Sequence, residues 1–432
     1  MSKKVLMKGF TICTIALSFD VFAQDASYTN NLTHDWDGKR SQLQENGVQI
    51  IGNYMHELGY NVSGGYNTDK KLEYANEILL GADFDLQKII NIPNAHLKII
   101  LTNRNGQDIT NTRIINPEGG QLTSVQEVWG RGSITRLAEL SYRQTFMDNK
   151  LNLRVGRFGF GEFGEFSCEF QNLLFCGNSS GSNTGSLIYN FPVSQWAIQA
   201  KYKLTDSLTV QTAIFEQNPT LQENDNAFKI STSGSKGIII PLEFIYQDKE
   251  ADSKLRLGGY FSTANADDVY KDIQGNPKAR THLSAKEHEQ RYGFWAMYQK
   301  NIVNLYSDNA RPLELFSQVH YNDKDTSYIG NSINIGLLGK GLFQQRPQDI
   351  FGIAIGRIGV NSDYKKNIEL QNIINKVSVP VQNYEISTEL FYGINLQNGI
   401  IIRPNIQYIK NPGGVKETED AVVAGLKVSV AL

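Results

Sequence analysis

Apolar and polar residues alternate along most of this chain. In the first such stretch, apolar Ile50, Tyr54 and Leu58 are interleaved with polar Asn53 and Glu57. A period of two residues predicts a β-strand with one apolar and one polar face. The pattern recurs about sixteen times. The predicted strands are residues 48–60, 72–86, 97–104, 138–143, 151–155, 196–203, 208–214, 240–246, 254–263, 290–300, 313–322, 332–339, 349–359, 383–394, 400–410 and 421–432.

The connections between the predicted strands alternate in length. Residues 146–150, 204–207 and 395–399 are tight turns, whereas 105–133 and 159–193 are long loops. Short turns at one end and long loops at the other, with an even number of strands, are typical of outer-membrane barrels. The sequence therefore predicts an all-β fold, a transmembrane antiparallel β-barrel of about 16 strands. We also expect a short N-terminal helix and an inward-folded loop.

Aromatic residues near the strand ends favour a membrane barrel over a soluble β-sandwich or propeller. Either soluble fold has alternating strands, but no propeller repeat is visible, and a membrane barrel needs aromatic girdles at its two interfaces. The candidate girdle residues are Tyr54, Tyr60, Tyr74, Trp196, Tyr202, Tyr246 and Tyr408. A helical membrane protein is excluded, because no stretch approaches about 18 consecutive apolar residues.

The N-terminal region has the features of a secretory signal. Lys3, Lys4 and Lys8 precede an apolar stretch, and small residues end it at Ala23. This pattern implies export. Gly47 supplies a helix stop before the first strand. The predicted domains are a signal peptide (1–23), an N-terminal periplasmic helical segment (24–47) and the transmembrane β-barrel (48–432).

Composition narrows the function. The 432 residues have a formal net charge of −2, which argues against a nucleic-acid partner. The chain contains 20 Tyr and 21 Phe, which argues against disorder. Its six His residues are scattered, and none has an HxxxH or HExxH spacing. We therefore expect no enzymatic activity, no catalytic residue, no metal site and no cofactor.

Two cysteines follow the signal and lie close together. Cys168 and Cys176 are expected to form a disulfide in the oxidising periplasm. A zinc site is the alternative, but it needs two more ligands and no His is near. The disulfide clips the long 159–193 connection, which is Phe-rich and is the best candidate for narrowing the channel of a 16-stranded barrel. An external lid is the other interpretation of this loop.

The alternation of side chains between the two faces of a strand, called parity below, identifies candidate channel residues. The positions predicted to face the lumen are Glu57, Glu77, Asp83, Arg104, Glu139, Arg143, Arg154, Lys201 and Glu243. Arg104, Glu139 and Arg154 lie on neighbouring strands and are expected to meet around one constriction. Parity places Arg136 and Arg157 on the outer face, although a bulge or a strand end would turn them inward, so both remain candidates. Trp129, in the second long loop, is a further candidate channel residue.

Several stretches resemble the carbohydrate-selective porin family of Gram-negative outer membranes, the OprB-like proteins. The matching stretches run from about residue 35 to 414 and include Thr135 to Leu140, Val155 to Phe158, Cys168 to Gly177, Pro192 to Ala197 and Arg403 to Gly414. The resemblance implies a sixteen-stranded barrel that passes sugars such as glucose.

Sugar selection would rest on hydrogen bonds and stacking. Arg offers a fixed fork of donors, carboxylates offer acceptors, and aromatic rings can lie against pyranose faces. Trp129 is the candidate sugar platform. The leading hypothesis is selective passive diffusion of carbohydrates through an Arg- and carboxylate-lined channel, and the alternative is a general or anion-preferring porin. The expected partners are small sugars, outer-membrane lipid and lipopolysaccharide. The oligomeric state, monomer or homotrimer, stays open.

Overall fold

The computed structural model describes residues 31–177 and 187–432. The predicted signal peptide lies outside the described residues, as does the start of the 24–47 segment. The strands are β1 (Val48–Gly65), β2 (Leu72–Asp85), β3 (Ala95–Gly106), β4 (Thr135–Phe146), β5 (Leu151–Phe158), β6 (Gln195–Lys203), β7 (Leu208–Gln217), β8 (Gly237–Asp248), β9 (Ser253–Ser262), β10 (Ala266–Asp272), β11 (Ala285–His288), β12 (Arg291–Asn304), β13 (Pro312–Asn322), β14 (Ile329–Lys340), β15 (Ile350–Val360), β16 (Tyr384–Asn395), β17 (Ile400–Lys410) and β18 (Glu419–Ala431). The helices are α1 (Lys39–Glu45), α2 (Leu86–Ile90), α3 (Lys278–Thr281) and α4 (Ser362–Asn375).

Sixteen antiparallel strands close into one barrel, and β10 and β11 form a separate two-stranded sheet. The first and last strands pair, so that Leu58 of β1 lies between Tyr74 of β2 and Leu426 of β18. Closure satisfies the backbone groups that an open sheet edge would leave without partners in hydrocarbon. The predicted sixteen-stranded, all-β barrel is confirmed.

The two faces of the barrel wall differ in polarity. Outward positions such as Ile198, Ile333 and Ile355 are exposed and apolar, and the candidate girdle residues share their outward parity. Inward positions carry buried polar groups such as Gln199 and Glu243. No helix in residues 31–177 or 187–432 is long and apolar enough to cross a bilayer.

The connections differ at the two ends of the barrel, as the sequence pattern predicts. Tight turns such as 147–150 and 204–207 mark the periplasmic end, where Arg40 of α1 donates to the carbonyl of Ile50 in β1 (3.4 Å). At the extracellular end, the long 263–290 connection contains β10, α3 and β11, and the 361–383 connection contains α4. Neither connection contains one of the strands that the sequence pattern predicts.

A candidate permeation constriction

The described parts of the connection between β5 and β6, residues 159–177 and 187–194 and together called L3 below, fold into the lumen. Its Phe166 ring lies 4.6 Å from Phe316 of β13, and its Phe170 ring lies 5.0 Å from Phe391 of β16, measured between ring centroids. These rings belong to the largest buried apolar cluster among the described residues. L3 therefore fills part of the barrel interior and does not form an external lid.

Carboxylates on the wall accept hydrogen bonds from the L3 backbone. Glu243 of β8 accepts from the Gly164 N–H (2.8 Å) and from the Trp295 indole N–H (2.8 Å). Glu389 of β16 accepts from two consecutive L3 amides at 2.8 and 2.7 Å. Glu243 faces the lumen by parity, but it is fully buried behind L3. In this structure the inward loop covers Glu243, so its carboxylate contacts L3 and not open space, and its role in the channel stays a prediction.

Cys168 and Cys176 form a disulfide within L3. Lys427 of β18 lies beside it and is fully buried. The Lys427 ammonium donates to the carbonyls of Phe170 (2.9 Å) and Cys168 (3.2 Å). It also forms ion pairs with Glu127 (3.1 Å) and Glu57 (3.7 Å). Two carboxylates and two carbonyls thus compensate one buried cation.

We predict that the double variant Cys168→Ser/Cys176→Ser has a noisier open channel. Removing a cross-link that closes so short a loop lowers the stability of the folded loop by about 2 to 3 kcal/mol in the chain-entropy model. L3 should therefore leave its position in the lumen more often. Single-channel recordings in a planar bilayer measure this as excess current noise. Wild-type protein with and without reductant is the matched control, and equal noise in all samples would contradict the prediction.

The connection between β3 and β4, residues 107–134 and called L2, also enters the lumen. Val128 N–H donates to the Glu57 carboxylate (3.1 Å), and the Gln126 side chain donates to the Glu57 carbonyl (3.1 Å). Burial raises the pKa of Asp108, at the start of L2, to about 6. Glu57 faces inward as predicted, but L2 covers it completely. L2 therefore covers part of the inner wall of the barrel.

Two ion pairs join neighbouring strands on the inner wall of β2 to β5, and the arginine in each is buried. Arg104 of β3 contacts Glu77 of β2 at 2.5 Å. Arg154 of β5 contacts Glu139 of β4 at 2.5 Å and Glu162 of L3 at 2.8 Å. Arg154 therefore joins the barrel wall to the inward loop.

Further cations surround Glu162. Arg143 of β4 contacts it at 2.8 Å and Lys201 of β6 at 4.0 Å, and both cations keep 33% of their side-chain surface exposed. Burial opposes ionisation of Glu162, but Arg143 and Arg154 lower its pKa to about 2. Three cations face two carboxylates, Glu139 and Glu162, so the cluster carries one net positive charge.

An aromatic ring lies next to these charges. Phe191, near the end of L3, is half-buried and packs against the buried apolar cluster that includes Ile100 and Ala138. The Arg104 guanidinium lies 5.8 Å from its ring centroid. A ring beside fixed donors and acceptors is the chemistry that a pyranose needs. Trp129 in L2 is also half-buried, and its role as a sugar platform stays a prediction.

Asp83 lies apart from the constriction. It is near the periplasmic end of β2, where its carboxylate contacts the ring of His96 at 2.8 Å. Asp83 and Glu77 share the inward face of one strand, but six residues separate them, or about 20 Å along the strand. Asp83 is therefore placed at the periplasmic mouth.

A β-bulge changes the direction of Arg136. Ile100 pairs with Glu139 and the next residue, Leu101, pairs with Leu137, so Ala138 is the extra residue. The bulge reverses parity beyond it, and Arg136 pairs with inward-facing Thr102. The outward placement that simple parity gives Arg136 is therefore wrong.

Arg136 holds the connection between β7 and β8, residues 218–236 and called L4. Its guanidinium donates to the carbonyls of Leu221 (3.0 Å) and Gln222 (2.9 Å). Arg157 is outward by parity at the end of β5, but it is buried and donates to the carbonyls of Lys229 and Ser194. Both arginines thus fasten loops at the extracellular rim.

Arg136→Gln is expected to expose L4 to protease. Hydrogen bonds from a charged donor contribute about 1.5 to 3 kcal/mol each, so trypsin should cleave after Lys236 roughly tenfold faster. The time course of cleavage on a gel measures the rate. Arg280→Gln, in exposed α3, is the control. Unchanged cleavage would show that L4 is held by other contacts.

Sequence reasoning missed Glu162, Glu389, Lys427 and Phe191. Lys427 and Glu389 had a usable signal, since each occupies an inward position beside an apolar outward neighbour in a predicted strand. Glu162 and Phe191 lie in L3, where no periodic pattern indicates orientation.

Comparisons with known proteins agree with this architecture. The family model described as carbohydrate-selective porin, OprB family, matches residues 69–432. Porin B of Pseudomonas aeruginosa is 40% identical, over 97% of this chain and 95% of the relative. The solved high-pH structure of Pseudomonas putida OprB has a TM-score of 0.92 and 43% identity, and the match covers 94% of this chain and 99% of that chain. The matched ranges include both inward loops.

Proposed function

We propose that this chain, which belongs to the carbohydrate-selective porin (OprB) family, passes neutral monosaccharides of the glucose type by passive diffusion. It is an outer-membrane carbohydrate porin and not an enzyme. The finer assignment concerns which sugars pass and which residues select them. We assign selection to Arg104, Arg154, Glu139 and Glu162, with the Phe191 ring beside them.

One observation carries this proposal. Arg154 lies between Glu139 and Glu162, at 2.5 and 2.8 Å, and so presents donors and acceptors within one small region. Sugar hydroxyls both donate and accept hydrogen bonds. Each hydrogen bond to water that is replaced by one to the protein contributes a net free energy of about 0.5 to 1.5 kcal/mol. Such weak binding suits transport, because a tightly bound solute would not leave. The presence of both donors and acceptors in this region suits a neutral solute that is rich in hydroxyl groups.

Current recordings through the purified protein in a planar bilayer test the proposal. Glucose should reduce the ionic current in a saturable manner and add concentration-dependent noise. In liposome swelling assays, glucose should enter faster than an amino acid of similar size. Equal entry of sugars and amino acids, with no effect of glucose on the current, would contradict the proposal.

A general or anion-preferring porin is the second candidate. It is favoured by the net positive charge around Glu162, where Arg143, Arg154 and Lys201 outnumber the carboxylates. This candidate predicts a reversal potential that reports strong anion selectivity in a salt gradient. It also predicts that gluconate enters at least as fast as glucose.

A further inference from the structure

Two cations face outward near the extracellular end of the barrel. Arg357 of β15 has the parity of the exposed residues Ile353 and Ile355, and Lys410 of β17 has the parity of exposed Ile406. Both side chains therefore point away from the channel, toward the membrane.

Strand register places the two cations side by side on the outer surface of the barrel. Arg357 pairs with Ile386 of β16, and Ile386 pairs with Lys410. One strand separates them, which corresponds to about 10 Å between their backbones. Both lie at the end of the barrel where the long connections are, beyond the apolar band formed by residues such as Ile353 and Ile406. This is the level of the outer-leaflet headgroups.

Arg357 is held in a fixed position. Its guanidinium donates to the Asn331 side-chain oxygen at 3.0 Å and lies 4.8 Å from the centre of the Tyr384 ring. The contact with Asn331 engages one of the five N–H donors that a guanidinium has. The packing on Tyr384 and the bond to Asn331 restrict the side chain before any ligand arrives.

Lys410 is exposed, and within residues 31–177 and 187–432 its ammonium has no ion-pair partner. The residue opposite Lys410 on the neighbouring strand β18 is Asp420, since the adjacent residues Ile409 and Ala421 pair with each other. Asp420 accepts hydrogen bonds from the Tyr408 hydroxyl (2.6 Å) and the Asn411 N–H (3.0 Å). Its two oxygens are therefore engaged with neutral donors.

Other outward cations of the described strands are not placed in this way. Lys300 has outward parity in β12, with Phe294 and Tyr298, but it lies at the periplasmic end. Arg157 is covered by L4. The pair Arg357 and Lys410 is thus a cationic patch at the outer-leaflet level.

We propose that Arg357 and Lys410 bind a phosphate of a phosphorylated glycolipid in the outer leaflet, of the lipid A type. Arg provides a donor fork that matches phosphate geometry, and Lys adds a point charge. The Ile386 side chain between them, with the aliphatic surface below, fits the acyl chains. The lipid would bind outside the barrel, so the site is independent of sugar permeation.

Native mass spectrometry of the detergent-solubilised protein with added diphosphorylated lipid A tests the proposal. Each cation near an anionic lipid surface contributes about fivefold in affinity, so Arg357→Gln/Lys410→Gln should lower lipid A retention by roughly thirtyfold. Lys300→Gln is the matched control and should retain lipid A as wild type does. With dephosphorylated lipid A, the double variant and wild type should bind equally.

Equal retention of diphosphorylated lipid A by the double variant and wild type would overturn the proposal. Equal competition by phosphatidylglycerol would overturn the assignment to a lipid A type ligand. Unchanged single-channel conductance and heat-resistant gel mobility establish that the variant folds. If the double variant does not fold, Lys410→Gln alone serves, and a fall of about fivefold is then expected.

Discussion

Replacement of Lys427 by Met is expected to lower the free energy of unfolding by about 3 to 5 kcal/mol, because it leaves buried carboxylates without their cation. Lys427 is fully buried and contacts Glu127 at 3.1 Å and Glu57 at 3.7 Å. The same change removes the two donors to the L3 carbonyls. Urea titration in detergent, followed by the gel mobility of folded and unfolded protein, measures the loss.

A second substitution separates the loss of the Lys427 charge from the loss of its packing. In Lys427→Met/Glu57→Gln one of the stranded carboxylates is also removed, so part of the lost stability should return. Lys201→Met is the matched control, because Lys201 also faces the lumen but keeps a third of its side chain exposed. Surface-type ion pairs contribute at most about 1 kcal/mol. A loss in Lys427→Met no larger than in this control would refute the role given to Lys427.

Arg154→Ala is expected to reduce glucose affinity in the channel at least about tenfold and to shift ion selectivity toward cations. The variant removes a charged donor, whose hydrogen bonds contribute about 1.5 to 3 kcal/mol, and tenfold corresponds to about 1.4 kcal/mol. It also leaves Glu139 and Glu162 without their shared partner. Glucose-induced current noise and the reversal potential in a salt gradient measure the two effects.

Lys203→Ala provides the comparison for Arg154→Ala. Lys203 lies at the periplasmic end of β6, its side chain is 46% exposed and it pairs with Asp206. Its removal changes the charge of the protein equally but leaves the constriction intact. If both variants have wild-type glucose affinity, the selection of sugar must rest on other residues.

The barrel itself could be predicted from the sequence, whereas the exact lining of the passage could not. Period-two alternation and alternating connection lengths determine the strands, their faces and the two ends. Parity also places Arg104, Glu139 and Arg154 correctly. It fails at Arg136, because one extra residue, Ala138, reverses the faces beyond it. No local sequence pattern predicts that bulge.

The paths of L2 and L3 are the other limit of sequence reasoning. Glu57 and Glu243 face inward as predicted, yet each is buried because a loop from another part of the chain covers it. The loop positions depend on contacts across the barrel, which involve residues far apart in sequence. Glu162 was missed for the opposite reason. It lies in a loop, where no periodic pattern indicates orientation, and yet it completes the charged cluster.

The long sequence separations within L3 contacts have a consequence for biogenesis. Glu169 pairs with Arg403 across 234 residues, and the Phe170 carbonyl accepts from Lys427 across 257 residues. L3 therefore cannot take its final place until the C-terminal hairpin has joined the sheet. We therefore expect the passage to become narrow and selective only late in assembly, once β17 and β18 are in place.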